Sequence, residues 1–213
     1  MPMAFSRSNE FCARFSEMYP SLRDNDDFTA IINERQYDRL QGYLEDAREK
    51  GAELVEINPA RENLKDGTRK LPLTLVLNTT PDMKVMQDEI FGPILPIVSY
   101  GSLDEAIHYI NDRPRPLALY FFGYDKTQQQ HVVDNTHSGG MCINDSLMHV
   151  AQDDLPFGGI GDSGMGHYHG REGFLTFSHH RAIFTKQKFN SGKFVYAPHG
   201  TAAHKMVYKF FIR

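Results

Sequence analysis

Leu117-Ala118-Leu119-Tyr120-Phe121-Phe122-Gly123 is a nearly continuous apolar run, and its reading decides the fold. Alternation of apolar and polar residues would mark a strand with one wet face. Its near absence here, with Pro114 and Pro116 breaking the pattern just before, fits a parallel strand covered on both sides. Downstream, residues about 126–135 read as a helix, and Gly139-Gly140-Met141-Cys142-Ile143-Asn144 as another short strand. Upstream, Ser102-Leu103-Asp104-Glu105 opens a helix running to about Asn111, with Ser102 as N-cap and Glu105 at the capping-box position. Before it, Ile94 to Tyr100 forms a strand. Strand, helix, strand, helix, strand implies an α/β domain with right-handed crossovers and a mostly parallel sheet flanked by helices.

The N-terminal part adds smaller pieces. Apolar residues of Phe11 to Met18 recur at helical spacing and stop at Tyr19-Pro20, whereas residues 1–9 show no period. Tyr37, Leu40, Tyr43, Leu44 and Ala47 predict a strong amphipathic helix over 33–50, ended by Lys50-Gly51. Residues 53–57 and 71–77 read as strands around a polar loop. In the last third, glycines at 158, 159, 161, 164, 166, 170 and 173 forbid a regular helix and mark a loop where backbone comes close to something. Ala182 to Thr185 reads as an edge strand, and residues 205–213 as a short basic-apolar tail.

The 213 residues allow one substantial core. A net charge of -4 gives no reason to expect nucleic acid, whose binders concentrate Lys and Arg on one face. Two cysteines, Cys12 and Cys142, make no disulfide framework, and no secretory h-region or membrane-spanning run is seen, so a cytoplasmic protein is expected.

Two motifs carry chemistry. In Glu89-Ile90-Phe91-Gly92-Pro93 the carboxylate offers two acceptor oxygens that suit adjacent ribose hydroxyls, and Phe91 can lie against a planar ring. Gly92-Pro93 is read as the bend that lets both side chains face one cleft. Taken alone, the pair also suits a solvated Glu beside a core Phe. The second motif, Pro156-Phe157-Gly158-Gly159-Ile160-Gly161-Asp162-Ser163-Gly164-Met165-Gly166, lacks the strand-then-helix context of a dinucleotide phosphate loop. Phe157 ahead of the glycines suits an anchor in a pocket wall.

Glu89 to Pro93, then Ser138-Gly139-Gly140 with Asn144 four residues on, then the Phe157 motif with Tyr168-His169-Gly170, follow the order of the C-terminal half of aldehyde dehydrogenases. The chain resembles that family over about residues 11–188, most closely its class 3 branch and the coniferyl aldehyde type. The resemblance implies that Glu89 holds the ribose beside the nicotinamide of NAD or NADP and that Phe91 packs near that ring. It places Asn144 in support of the active-site loop and Phe157 at the aldehyde entrance. It further implies residues 1–188 as the C-terminal portion of a catalytic domain, residues 189–213 as a tail, a small aldehyde substrate, and a homo-oligomer.

The family mechanism needs a cysteine thiolate to attack the aldehyde, a hydride acceptor, and water to release the acid. No motif resembling the family's Gly-Gln-x-Cys nucleophile is found. Cys12 lies in a helical stretch, and Cys142 reads as a buried small apolar residue. No catalytic residue is therefore assigned, and the chain is expected to begin after the parent's nucleophile and to be inactive alone. A non-catalytic oligomerisation or interaction module is the alternative. The histidines, His167, His169, His179, His180, His199 and His204 among them, complete no metal-ligand spacing, so no metal site is expected. His149 reads as a packed, hydrogen-bonded residue near the aldehyde tunnel.

Overall fold

The computed structural model describes residues 3–64, 67–188, 192 and 196–211, with side chains from residue 8. Two compact units follow one another, Met1–His108 and Tyr109–Arg213.

The first unit begins with helix α1 (Met3–Met18), which takes in residues 3–9 despite their lack of period. That stretch contains neither Gly nor Pro, and a backbone ladder needs no apolar stripe. Helix α2 (Glu34–Glu49) is capped by Asn33, whose side-chain oxygen accepts from the Gln36 amide at 2.9 Å. It buries the expected Leu40, Tyr43, Leu44 and Ala47. The chain leaves it through Gly51 at φ 89°, and the Ala52 amide donates to the Ala47 carbonyl at 2.9 Å.

Strands β1 (Glu53–Ile57), β2 (Leu73–Leu77) and β3 (Ile94–Pro96) form one sheet in that order. β1 and β2 run antiparallel with Glu53 opposite Leu77, and β2 and β3 run parallel with Thr74 opposite Ile94. Residues of β2 alternate between two apolar clusters, which is why it reads apolar throughout. Leu75 and Leu77 join Ile57, with Cys12 and Phe15 of α1 packed on them, while Val76 joins Leu40, Tyr43, Leu44, Met83 and Ile94 on the α2 side. Leu40, Leu75 and Val76 are fully buried, and such a side chain contributes about 1.5–3 kcal/mol. The strand expected over 94–100 ends at Pro96, although the Ile97 amide still reaches the Val76 carbonyl.

Glu62 anchors the segment after α1. Its carboxylate accepts from the amides of Leu22 (2.7 Å) and Arg23 (3.1 Å) and from the Ser21 hydroxyl (2.7 Å). The Leu22 amide, with help from Ser21, holds this carboxyl below its ordinary value. A depressed folded value means the anchor stabilises fully above the unfolded glutamate range, about 4.3, and is lost as pH falls through the lower folded value. An acid titration followed by amide NMR is expected to move Ser21, Leu22 and Arg23 together, starting below the ordinary glutamate range. A Glu62→Gln chain should show no such step.

Helix α3 (Leu103–Asn111) spans the boundary between the units. Its start bears out Ser102 as cap, since the Glu105 amide donates to Ser102 Oγ at 3.2 Å. The Glu105 carboxylate accepts from the Gly101 amide at 2.7 Å.

The second unit holds β4 (Ala118–Phe121), α4 (Lys126–Asn135), β5 (Gly140–Ile143), α5 (Gly170–Thr176) and α6 (Ala202–Phe211). β4 and β5 pair in parallel with Ala118 opposite Gly140, as the apolar run implied. Tyr120 at 37% and Phe122 at 67% exposure show that the run is not covered on both sides. Two further expectations fail. Gly170 and Gly173 do not prevent α5, because a helical glycine costs only about 1 kcal/mol, and the Gly173 amide donates to the His169 carbonyl at 2.8 Å. Residues 182–185 form no strand and pair with none among the described residues. Helix α6 covers the tail to Phe211, and residues 212–213 lie outside the described ones.

Candidate functional site

Glu89 and Phe91 lie on one cleft of the first unit, about 860 Å³ in volume, with Asn33, Gln36, Arg39 and Gly92 also in its wall. The bend that aims them is not where the sequence suggests. Phe91 itself adopts φ 51°, a conformation costing a bulky L-residue roughly 1–2 kcal/mol. Gly92 serves a different need: a Cβ there would sit 2.5 Å from Cδ1 of the fully buried Leu40, which would have to shift. Phe91 is left 84% exposed at the cleft.

This turn is held from α2, by a residue that no sequence motif singles out. The Arg39 guanidinium donates through Nη1 to the Glu89 carbonyl at 3.1 Å and through Nη2 to the Ile90 carbonyl at 2.6 Å. Its partners lie fifty residues away in sequence, so no local pattern could have revealed them.

Asn144 and Phe157 both lie in the second unit. Asn144 leaves β5 at φ 61°, tolerable for asparagine, and its side chain brackets Gly123 at the exit of β4. Oδ1 accepts from the Gly123 amide at 2.8 Å, and Nδ2 donates to the Gly123 carbonyl at 3.1 Å. It therefore fixes the ends of both strands. Phe157 exchanges two 2.9 Å backbone bonds with Tyr168, and its ring lies against His149, Tyr168 and His169 at centroid distances of 5.6, 5.8 and 6.0 Å.

Cys142 is buried as expected but is more than an apolar filler. Its Sγ lies 3.2 Å from His149 Nδ1 and accepts from the His149 amide at 3.3 Å. His149 is buried too, its ring over Gly140, and among the described residues its Nε2 has no hydrogen-bond partner. His167 meets Glu172 at 2.8 Å, and His199 lies against His204. Among the described residues no three His, Cys, Asp or Glu side chains gather as a metal would require, and no helix is long and apolar enough to cross a membrane.

The two glycine motifs meet directly. A Cβ on Gly139 would overlap the Gly158 carbonyl, and one on Gly158 would overlap the Gly166 carbonyl. The Ser138-Gly139-Gly140 turn thus stacks on the Phe157 loop, backbone against backbone. The family model of the aldehyde dehydrogenases matches residues 6–183. The chain belongs to the aldehyde dehydrogenase family. It is 57% identical over 211 residues to a probable coniferyl aldehyde dehydrogenase of Pseudomonas aeruginosa, a match covering 97% of this chain and 43% of that protein. Mouse aldehyde dehydrogenase family 3 member A2 is 46% identical over 166 residues, 78% of this chain and 32% of its own length. Among solved structures, the substrate-bound state of Staphylococcus aureus AldH superposes with a TM-score of 0.68 at 42% identity, covering 85% of this chain and 38% of that one. A betaine aldehyde dehydrogenase of the same organism, solved with NAD+, gives 0.61 at 30% identity, covering 70% of this chain and 30% of its own. The chain thus spans less than half the length of these aldehyde dehydrogenases.

Proposed function

We propose that this chain supplies one wall of the nicotinamide-ribose site and part of the aldehyde entrance of an NAD(P)-dependent aldehyde dehydrogenase. The intact enzyme oxidises a small aldehyde, aromatic and coniferyl aldehyde-like, to its acid. On this reading residues 1–188 are the C-terminal portion of the catalytic domain and residues 189–213 a tail. The observation that carries it is the Glu89–Phe91 pair on the 860 Å³ cleft: a carboxylate beside an apolar ring 84% exposed, on a turn held in a costly conformation.

The groups present suit the cofactor. Glu89 accepts from adjacent ribose hydroxyls, and the exposed face of Phe91 receives a flat heteroaromatic ring and shields it from water. When bound, the cofactor supplies the hydride acceptor. Asn144 holds β4 and β5 together at their exits, and Phe157 fixes the glycine loop at the entrance. The protein's own thiols take no part, so the 213-residue chain alone is inactive and binds NAD or NADP weakly.

The test joins the upstream portion of the Pseudomonas aeruginosa relative, up to the matched region, to this chain. The chimera is expected to reduce NAD with coniferyl aldehyde. Glu89→Gln should lower kcat/KM for the cofactor roughly tenfold to a hundredfold, the worth of about 1.5–3 kcal/mol for hydrogen bonds to a charged group. A folded chimera indifferent to Glu89→Gln would sink the assignment. A second reading, a non-catalytic homo-oligomerising module, draws on Phe174, Phe177, Ile183 and Phe184, all more than 70% exposed. It needs no cofactor, so the same measurement separates the two.

A further inference from the structure

We propose that Arg39, backed by Tyr43 and Asp88, is the positioning residue that fixes the Glu89–Phe91 turn, and that without it the cofactor wall does not exist in one conformation. The inference rests on the reading of Glu89 and Phe91 as that wall.

Successive carbonyls of an extended segment point opposite ways. Here the carbonyls of Glu89 and Ile90 converge on one guanidinium, at 3.1 and 2.6 Å, so the chain is already turning before Phe91 enters its positive φ. A planar fork with donors on adjacent nitrogens meets two neighbouring acceptors in one fixed geometry, whereas an ammonium is a point charge with rotatable donors on a flexible stem. The fork is itself held in place. Arg39 Nε donates to Gln36 Oε1 at 2.6 Å, Nη1 donates to Tyr43 Oη at 2.9 Å, and the guanidinium carbon lies 4.9 Å from the centre of the Tyr43 ring. Tyr43 is 8% exposed and packed in the α2 core cluster, and its hydroxyl donates to Asp88 Oδ2 at 2.9 Å. The residue before Glu89 is thereby tied to the same network.

Gln36, Arg39, Leu40 and Tyr43 stand at i, i+3, i+4 and i+7 of α2, one face of the helix. Leu40 is the wall against which Gly92 rests, Arg39 and Tyr43 grip residues 88–90, and Gln36 holds Arg39. A surface arginine held by only one contact gains little. The fixed orientation comes from the four hydrogen bonds and the ring acting together.

The test needs no cofactor. Backbone amide order parameters are measured by ¹⁵N relaxation on the full 213-residue chain and its Arg39→Gln, Arg39→Lys and Tyr43→Phe variants. In the parent, Ile90 and Phe91 should be as rigid as sheet residues, about 0.85. In Arg39→Gln they should fall below about 0.6, and the Ile94 amide, bonded to the Gly92 carbonyl at 2.8 Å, should exchange roughly tenfold faster or more. Arg39→Lys should behave like Arg39→Gln. Tyr43→Phe, which keeps the ring, should loosen the turn less. Unchanged rigidity in Arg39→Gln would overturn the proposal, as would full rescue by lysine, which would show that a charge and not a fork is required. Because these readouts see only the turn, a loosened turn in a chimera whose activity ignores Glu89 would leave the clamp standing and remove the cofactor reading instead.

Discussion

Given NAD and coniferyl aldehyde, the purified 213-residue chain is expected to produce no NADH above the buffer rate, followed by its ultraviolet absorbance. The reaction needs a thiolate that an aldehyde can reach. Cys12 sits on α1 against the apolar cluster of Ile57, Leu75 and Leu77, and burial pushes its thiol up from the ordinary value, away from the reactive form. Cys142 is the more serious candidate, since a cysteine with an imidazole nitrogen at 3.2 Å is the pairing that activates sulfur in thiol enzymes. Access decides against it. The residue is 8% exposed, its sulfur also takes the His149 amide, and the imidazole partner is equally buried. An aldehyde would have to displace the ring that packs on Tyr120 and Phe157. Aldehyde-dependent NADH abolished by Cys142→Ala would refute this.

What the sequence reveals and what it hides divide along physical lines. Helix α2 is legible to within a residue because its apolar face and its Gly51 exit are local signals. So is the parallel pairing of β4 and β5, because a helix-length segment joins two apolar runs. The antiparallel pairing of β1 with β2 is not, since each strand is visible alone but its partner is chosen at a distance. The same holds for the sites. Glu89 and Phe91 are recognisable by their neighbours, yet the grip of Arg39 on the Glu89 and Ile90 carbonyls comes from another element. Cys142 and His149 are only seven residues apart, but their contact depends on the turn that Asn144 makes at φ 61°, which composition does not encode. Counting glycines misleads at α5, where helix propensity is a weak prior and a single hydrogen-bonded turn outweighs it.

Glycine counting also fails to say which glycines matter, and here the structure makes a sharp distinction. Gly159→Ala is expected to destabilise the loop by roughly 3 kcal/mol or more, the upper end for overpacking. The added Cβ would overlap the Ser163 carbonyl and come within 2.7 Å of the Gly164 nitrogen, and both are backbone. They cannot step aside cheaply. Ser163 Oγ accepts from the Ile160 amide at 2.9 Å and donates to its carbonyl at 3.0 Å, while the Gly164 amide donates to the Gly161 carbonyl at 3.1 Å. Moving either group breaks the turn that closes the loop. Gly161 stands in the same turn at φ 68°, but a methyl group there would meet nothing within 4 Å. Gly161→Ala therefore carries only the left-handed strain, about 1–2 kcal/mol. Amide exchange at Phe157 and Tyr168, which share two 2.9 Å bonds, reads loop opening without requiring the two units to unfold together. Gly159→Ala should exceed Gly161→Ala by about tenfold there, since roughly 1.4 kcal/mol corresponds to a factor of ten. Equal exchange in the two variants would show that close backbone approach is not what these glycines provide. With the loop open, Phe157 would lose its place between His149 and His169 through a methyl group that meets only backbone.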